Sequence, residues 1–295
     1  MKRIANVVIL MLFALAPCTQ AATLSSGMTD ALKQQETRLN ARIGMAVVDA
    51  KGTPIFTWRQ DERFPLTSTF KVLACAALLD KLHNSGGSLE EKVSLQADEL
   101  LAYSPITKNY LPPSTPSLRL LCSAAVSYSD NTAANRLLRY LGGPAAVTQF
   151  MRSIGDQVTR LDRTEPTLNE ATPGDARDTS TPKSMALALH KLLASDALAQ
   201  ADRTTLDSWM REDKVADALL RAALPPGWAI ADKTGAGGYG SRAIIAAVYP
   251  PEKPPFYVAI YITQTSTSMK AADAAIADIG RQLFSAVITT LYPPA

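Results

Sequence analysis

The chain has 295 residues, 47% of them hydrophobic and 19% charged, and its formal net charge is +3. That composition belongs to a folded globular protein of one or two domains and excludes a disordered or fibrous chain. There is no run of Lys and Arg, so the footprint of a nucleic-acid binder is absent. The only histidines are His83 and His190, which share no ligand spacing. This argues against a His-built zinc site and against a Ser-His-Asp triad. The chemistry has to come from Ser, Lys, carboxylates and Tyr.

Lys2 and Arg3 precede an apolar stretch over residues 7–16, too short to span a bilayer. Thr19 and Ala21 follow in the small-residue spacing of a cleavage site. Residues 1–21 therefore read as an export signal cut after Ala21 or Ala22. Cys18 leaves with it. Cys75 and Cys122 remain, and in an oxidising compartment they are either bonded to each other or two buried free thiols. A bond closing a loop of about 48 residues would stabilise by at most ~4 kcal/mol through chain entropy.

Met28, Ala31, Leu32 and Leu39 are helically spaced, which predicts an amphipathic helix over residues 26–40. Residues 43–48 and 54–59 are β-rich on either side of Lys51-Gly52, a hairpin pattern. Helical patterns dominate from residue 68 to about 198. Phe70, Leu73, Ala74, Ala77 and Leu78 form one apolar stripe there, Gly142-Gly143 closes one helix and Pro182 opens another. Residues 160–181 are polar and aperiodic, the mark of a long ordered loop. Three β runs follow, over 228–236, 243–249 and 256–264, and a last helix covers 269 to about 291. The succession predicts an α/β (α+β) fold: a five-stranded antiparallel sheet covered by the first and last helices, with an all-helical lobe inserted. On this reading residues 22–66 and 212–295 form the sheet lobe, and 67–211 the helical lobe with the 160–180 loop. The site is expected in the cleft between them.

Four short elements can carry chemistry. Ser68-Thr69-Phe70-Lys71 opens a helix, and residues three apart share a face, so the hydroxyl and the ammonium can meet. A Ser hydroxyl becomes a nucleophile when a base such as a lysine of lowered pKa takes its proton. A second Ser-x-x-Lys, Ser180 to Lys183, reads better as a helix N-cap. Ser129-Asp130-Asn131 taken alone is a cap or a turn. Lys233-Thr234-Gly235 lies on a β run where glycine lets a ligand approach the backbone. Glu165 to Asn169 places a carboxylate and an amide together in the loop, where they can hold a water and take its proton.

In this order, and in an exported chain poor in His, the elements make the sequence resemble class A serine β-lactamases over essentially the whole mature chain. The specific stretches are Arg63-Phe64-Pro65-Leu66-Thr67-Ser68-Thr69-Phe70-Lys71, Ser129 to Asn135, Thr159 to Pro166 and Gly227 to Gly237. They look most like the carbenicillin-hydrolysing branch, which usually carries Arg at the position of Lys233. The resemblance implies the fold of serine β-lactamases and penicillin-binding transpeptidases, and hydrolysis of penicillins and some cephalosporins through an acyl-enzyme. It implies Ser68 as nucleophile, Lys71 and Glu165 as proton acceptors, and Ser129 as donor to the leaving nitrogen. The backbone N–H groups of Ser68 and Ala236 would hold the oxyanion. Asn131 would bind the substrate's side-chain amide, with Tyr103 walling the cleft and Asn169 beside the water. Lys233, Thr234, Gly235 and Arg242 would bind the carboxylate, and Arg242 would support inactivation by clavulanate. Arg163 would pair with Asp178 across the loop neck, and Cys75 and Cys122 match the family's disulfide. No cofactor, metal, nucleic acid or membrane contact after cleavage is implied, and the protein is expected to be a periplasmic or secreted monomer. A penicillin-binding D,D-peptidase shares three of the four elements, and a β-lactam sensor domain is the other alternative; the Glu165 element speaks against the peptidase.

Overall fold

The computed structural model describes residues 18–290, with side chains from Gly27 onward. The charged and apolar parts of the expected export signal, through residue 17, lie outside the described residues, as does Leu291. Five strands form one antiparallel sheet: β1 (Arg42–Val48), β2 (Pro54–Trp58), β5 (Ala229–Ala236), β6 (Arg242–Tyr249) and β7 (Phe256–Thr263), in the order β2-β1-β7-β6-β5. Side chains alternate across it. Met45, Val47, Ile244, Ala246, Val258 and Ile260 join the core under α1 (Cys18–Leu39) and α8 (Met269–Thr290). Ala46, Ile245, Ala247, Ala259 and Tyr261 join a second core shared with the helical middle. Strands β6 and β7 are covered on both faces, which is why they read as continuous apolar runs and not as alternating ones.

Helix α1 begins at Cys18, earlier than the predicted residue 26, because its first turns carry polar and small residues with no apolar stripe. The middle of the chain supplies α2 (Phe70–Ser85), α3 (Leu118–Ser127), α4 (Asn131–Leu141), α5 (Pro144–Ser153), α6 (Pro182–Ala194) and α7 (Gln200–Arg211). Helix α2 is buried around its whole circumference through Leu79, since α3, α4, α5 and α7 all pack on it. The single apolar stripe visible in the sequence understates this. The Cys75–Cys122 disulfide joins α2 to α3 across a Cα–Cα distance of 5.7 Å. The two cysteines are therefore bonded and not free thiols.

One expected cap is corrected. Thr181, not Ser180, caps α6, its hydroxyl accepting from Ser184 N. Ser180 sits in β4 (Thr179–Ser180), a short ribbon with β3 (Phe64–Pro65) that the sequence did not announce. Its buried hydroxyl shares a hydrogen bond with Thr159. This ribbon closes the neck of the 160–181 loop. Among the described residues, no helix is long and apolar enough to cross a membrane.

Candidate active site

Ser68 lies in a 3-10 turn, Thr67–Thr69, that leads into α2 and packs against edge strand β5. The contact is close enough to require Gly235: a Cβ there would lie 2.0 Å from Thr67 Oγ1 and 3.1 Å from Ser68 N. The glycine expected to admit a ligand thus admits the nucleophile's own turn. Thr67 (φ 45°) and Ser129 (φ 59°) are both left-handed without being glycine, a strain of ~1–3 kcal/mol each held beside the reactive groups.

Lys71 follows Ser68 by one helical turn, and its Nζ lies 3.0 Å from Ser68 Oγ. The ammonium also reaches Ser129 O at 2.7 Å, Asn131 Oδ1 at 2.6 Å, Ser129 Oγ at 3.4 Å and Glu165 Oε1 at 3.1 Å. The side chain is fully buried. Burial pushes the ammonium below the ordinary lysine range, against the pull of Glu165 and Asp130.

The middle residue of Ser129-Asp130-Asn131 is structural, so the motif and the helix cap are both present. Asp130 caps α4 at Ala133 N and also accepts from Ile106 N, Thr107 N and Thr107 Oγ1. It thereby fastens the segment after Tyr103, and Asn131 N donates to Tyr103 O. Tyr103 itself is 49% exposed at the cleft rim.

The 160–181 loop brings Glu165 under Lys71. Asn135 of α4 clamps it twice, accepting from Glu165 N and donating to Glu165 O, both at 2.8 Å. Asn169 Nδ2 donates to Glu165 Oε2. Asn169 Oδ1 remains a buried acceptor with no hydrogen-bond donor among the described residues, and Glu165 Oε1 is answered by the Lys71 ammonium, 3.1 Å away. At the neck, Asp178 accepts from Asp162 N and Arg163 N and pairs with Arg163 Nε at 2.6 Å. Gly238 completes the arrangement: its N–H donates to Asn169 O, and a Cβ would lie 2.2 Å from Glu170 O.

On the sheet side, Lys233 is buried and donates to Thr234 O at 3.0 Å. Burial brings it down to about 8, opposed by the nearby Asp213. Asp213 is itself raised by burial, and its Oδ2 has no hydrogen-bond donor among the described residues. The neighbouring Asp232 is pushed up to about 6 by burial despite its pair with Arg221 at 2.9 Å. Arg242 stands opposite Ala236 in the β5–β6 register and reaches back across the strands, Nη1 donating to Gly235 O at 3.2 Å. Its Nε pairs with Asp273 of α8 at 2.5 Å.

Ser68, Tyr103, Ser129, Asn131, Asn169, Thr234, Gly235, Ala236 and Arg242 thus line one cleft of about 470 Å³, with Asp273, Val215 and Met269. Lys71, Glu165 and Lys233 are buried directly behind that lining. Arg163 and Asp178 sit at the loop neck, and Cys75 and Cys122 in the core. Sequence reasoning missed Asn135, Asp213, Arg221, Asp232 and Asp273. Asn135 and Asp232 lay inside the quoted stretches without a role, while Asp273 carried no local signal.

Residues 26–287 match the β-lactamase enzyme family. The chain belongs to that family. It is 53% identical to β-lactamase AER-1 of Aeromonas hydrophila over 253 residues, 86% of this chain and 83% of the relative. An ancestral class A β-lactamase superposes with a TM-score of 0.85 at 46% identity, covering 88% of this chain and 99% of that one. The chromosome-encoded β-lactamase of Vibrio parahaemolyticus gives 0.84 at 43%, covering 88% and 98%. The protein is a class A β-lactamase that hydrolyses β-lactams, and the D,D-peptidase and sensor alternatives fall away.

Proposed function

We propose that this β-lactamase opens the ring through Ser68. Ser68 Oγ attacks the lactam carbonyl carbon while its proton passes to the Lys71–Glu165 pair. The negative charge on the carbonyl oxygen faces the N–H groups of Ser68 and Ala236. The C–N bond then breaks, the nitrogen takes a proton from Ser129 Oγ, and Lys71 restores it. A water attacks the acyl carbon, Glu165 takes its proton, and Ser68 leaves with its hydroxyl reformed. The observation that carries this reading is Lys71 Nζ, 3.0 Å from Ser68 Oγ and 3.1 Å from Glu165 Oε1. The unpartnered buried acceptor Asn169 Oδ1, beside the Glu165 carboxylate, suits a water that must lose a proton while held.

Lys233, Thr234, Gly235 and Arg242 bind the substrate carboxylate, Arg242 supports inactivation by clavulanate, and Asn131 with the Ala236 backbone binds the side-chain amide. Tyr103 walls the site. The spectrum is that of a penicillinase of the carbenicillin-hydrolysing branch acting on some cephalosporins. The protein works as an exported monomer, periplasmic or secreted, after loss of residues 1–21, and confers β-lactam resistance. Its two lobes are 22–66 with 212–295, and 67–211.

The test is Glu165→Gln. It keeps the shape and removes the base, so penicillin should still acylate Ser68 and then stall. A general base contributes ~10²–10⁴-fold, so the adduct should persist for intact-mass detection. Ser68→Ala should form none. Turnover by Glu165→Gln at the parent rate would remove Glu165 from the mechanism.

A further inference from the structure

We propose a second binding site on this chain, for a phosphoryl group, in a groove of about 400 Å³ between α5 and the start of the 160–181 loop. The groove shares no lining residue with the catalytic cleft. Three guanidiniums line it, those of Arg63, Arg152 and Arg160, and the only carboxylate among its lining residues is Asp162.

Each arginine is held by one edge. Arg63 donates through Nη1 to Val158 O and Thr179 Oγ1, and Arg152 through Nη1 to Asp156 O and Thr159 O. Arg160 uses Nε and Nη2 on Asp162. Among the described residues, Nη2 of Arg63, Nη2 of Arg152 and Nη1 of Arg160 have no protein acceptor. Asp162 is already occupied by Arg160 and by Asp178 N. The lining therefore carries two positive charges in excess and unengaged donors on all three guanidiniums. An anion entering the groove meets that excess positive charge. Guanidinium forks match tetrahedral phosphoryl oxygens better than a single ammonium would, and no lysine lines the groove. Buried Leu161 and half-buried Val158 supply an apolar wall for whatever carries the phosphoryl group.

The ligand class is a phosphate ester, either free or as a phospholipid headgroup. Exposed Gln149 of α5 also lines the groove and makes no hydrogen bond within the described residues. It is the position at which charge can be changed without breaking a structural contact.

The experiment titrates the folded enzyme with inorganic pyrophosphate by calorimetry. It also measures cosedimentation with phosphatidylcholine vesicles, with and without phosphatidylglycerol. Saturable pyrophosphate binding at one site is expected, weakening with ionic strength. Arg152→Gln and Gln149→Glu should each weaken it about ten-fold or more, the range of one charge-assisted hydrogen bond. Gln149→Lys should tighten it. Penicillin turnover in both Gln149 variants should equal the parent's, which reports the intact fold. Binding only to vesicles with phosphatidylglycerol, lost in the same variants, assigns the site to a headgroup. Absence of binding to either probe overturns the proposal, as does binding that ignores Gln149→Glu.

Discussion

Two buried lysines face each other across the cleft, and their surroundings differ in kind. Lys71, on the helical side, ends among five oxygens: Ser68 Oγ, Ser129 O and Oγ, Asn131 Oδ1 and Glu165 Oε1. Lys233, on the sheet side, has one hydrogen-bond acceptor, Thr234 O, and feels Asp213 only through space. Asp232, next in sequence, is engaged by Arg221. An ammonium has three donors. Those of Lys71 are fully engaged by the enzyme, so it can shuttle a proton but offers a substrate little. Those of Lys233 are mostly unengaged, so it can bind an anion but has no hydroxyl to activate. On the proposed mechanism one residue type would thus serve as a proton relay on one wall and an anion site on the other, through neighbours alone.

The largest expected effect comes from breaking the relay. Lys71→Gln leaves Glu165 buried without its counter-charge and removes the amine that links Ser68 Oγ to Glu165. We expect penicillin kcat/KM to fall by ~10²–10⁴-fold with no acyl-enzyme in the mass spectrum, because acylation itself slows. Glu165→Gln should instead stall after that step and accumulate the adduct. If Lys71→Gln also accumulates it, Lys71 serves deacylation and the two residues do not divide the steps.

Substitutions on the anion wall should act on KM. Arg242→Ser removes the guanidinium proposed to bind the substrate carboxylate, so penicillin KM should rise by about 10–100-fold and clavulanate inactivation should weaken. A guanidinium shared with Asp273 has part of its charge answered before substrate arrives. Asp273→Asn keeps an acceptor for Arg242 Nε and removes the competing charge. Steady-state kinetics should then show penicillin KM falling by about two- to five-fold with kcat unchanged. A rise in KM instead would mean that Asp273 serves to aim Arg242.

Much of this was legible in the sequence. The five strands, the helical middle and the irregular loop follow from period and composition. Spacing says only that Ser68 and Lys71 can share a helix face, as it also does for Ser180 and Lys183; the accompanying motifs and the resemblance they carry single out the first pair. Local patterns cannot report partners that are distant in the chain. Asp273 reaches Arg242 from α8, and Asn135 clamps Glu165 from α4, each across 30 or more residues. Gly235 has a second neighbour that the sequence did not show: it lines the cleft and also admits the turn of Thr67 and Ser68, since sequence says that backbone is bare and not what approaches it. The β3–β4 ribbon was missed because two-residue strands have no period to detect.

The smallest expected effect separates the two lysines by pH. Lys233 is brought down to about 8 by burial, so it is charged below that pH and neutral above it. The proposed carboxylate binding through it should therefore be present near neutrality and lost as pH rises through about 8. Arg242 and Thr234 stay in place, so the loss is partial: penicillin kcat/KM should fall about two-fold between pH 7 and pH 9. The ratio kcat/KM reports the free enzyme, and a bound carboxylate stabilises the charged form, so the matching fall in kcat should lie at higher pH or be absent. Arginine does not deprotonate in this range. Lys233→Arg should flatten the alkaline side while leaving kcat at pH 7 near the parent value, with carbenicillin and benzylpenicillin measured side by side. If the alkaline fall survives in Lys233→Arg, it belongs to another group. Lys71 is then the first candidate, because its ammonium is also lowered by burial. That outcome would place both titrations on the relay wall and leave the anion wall without one.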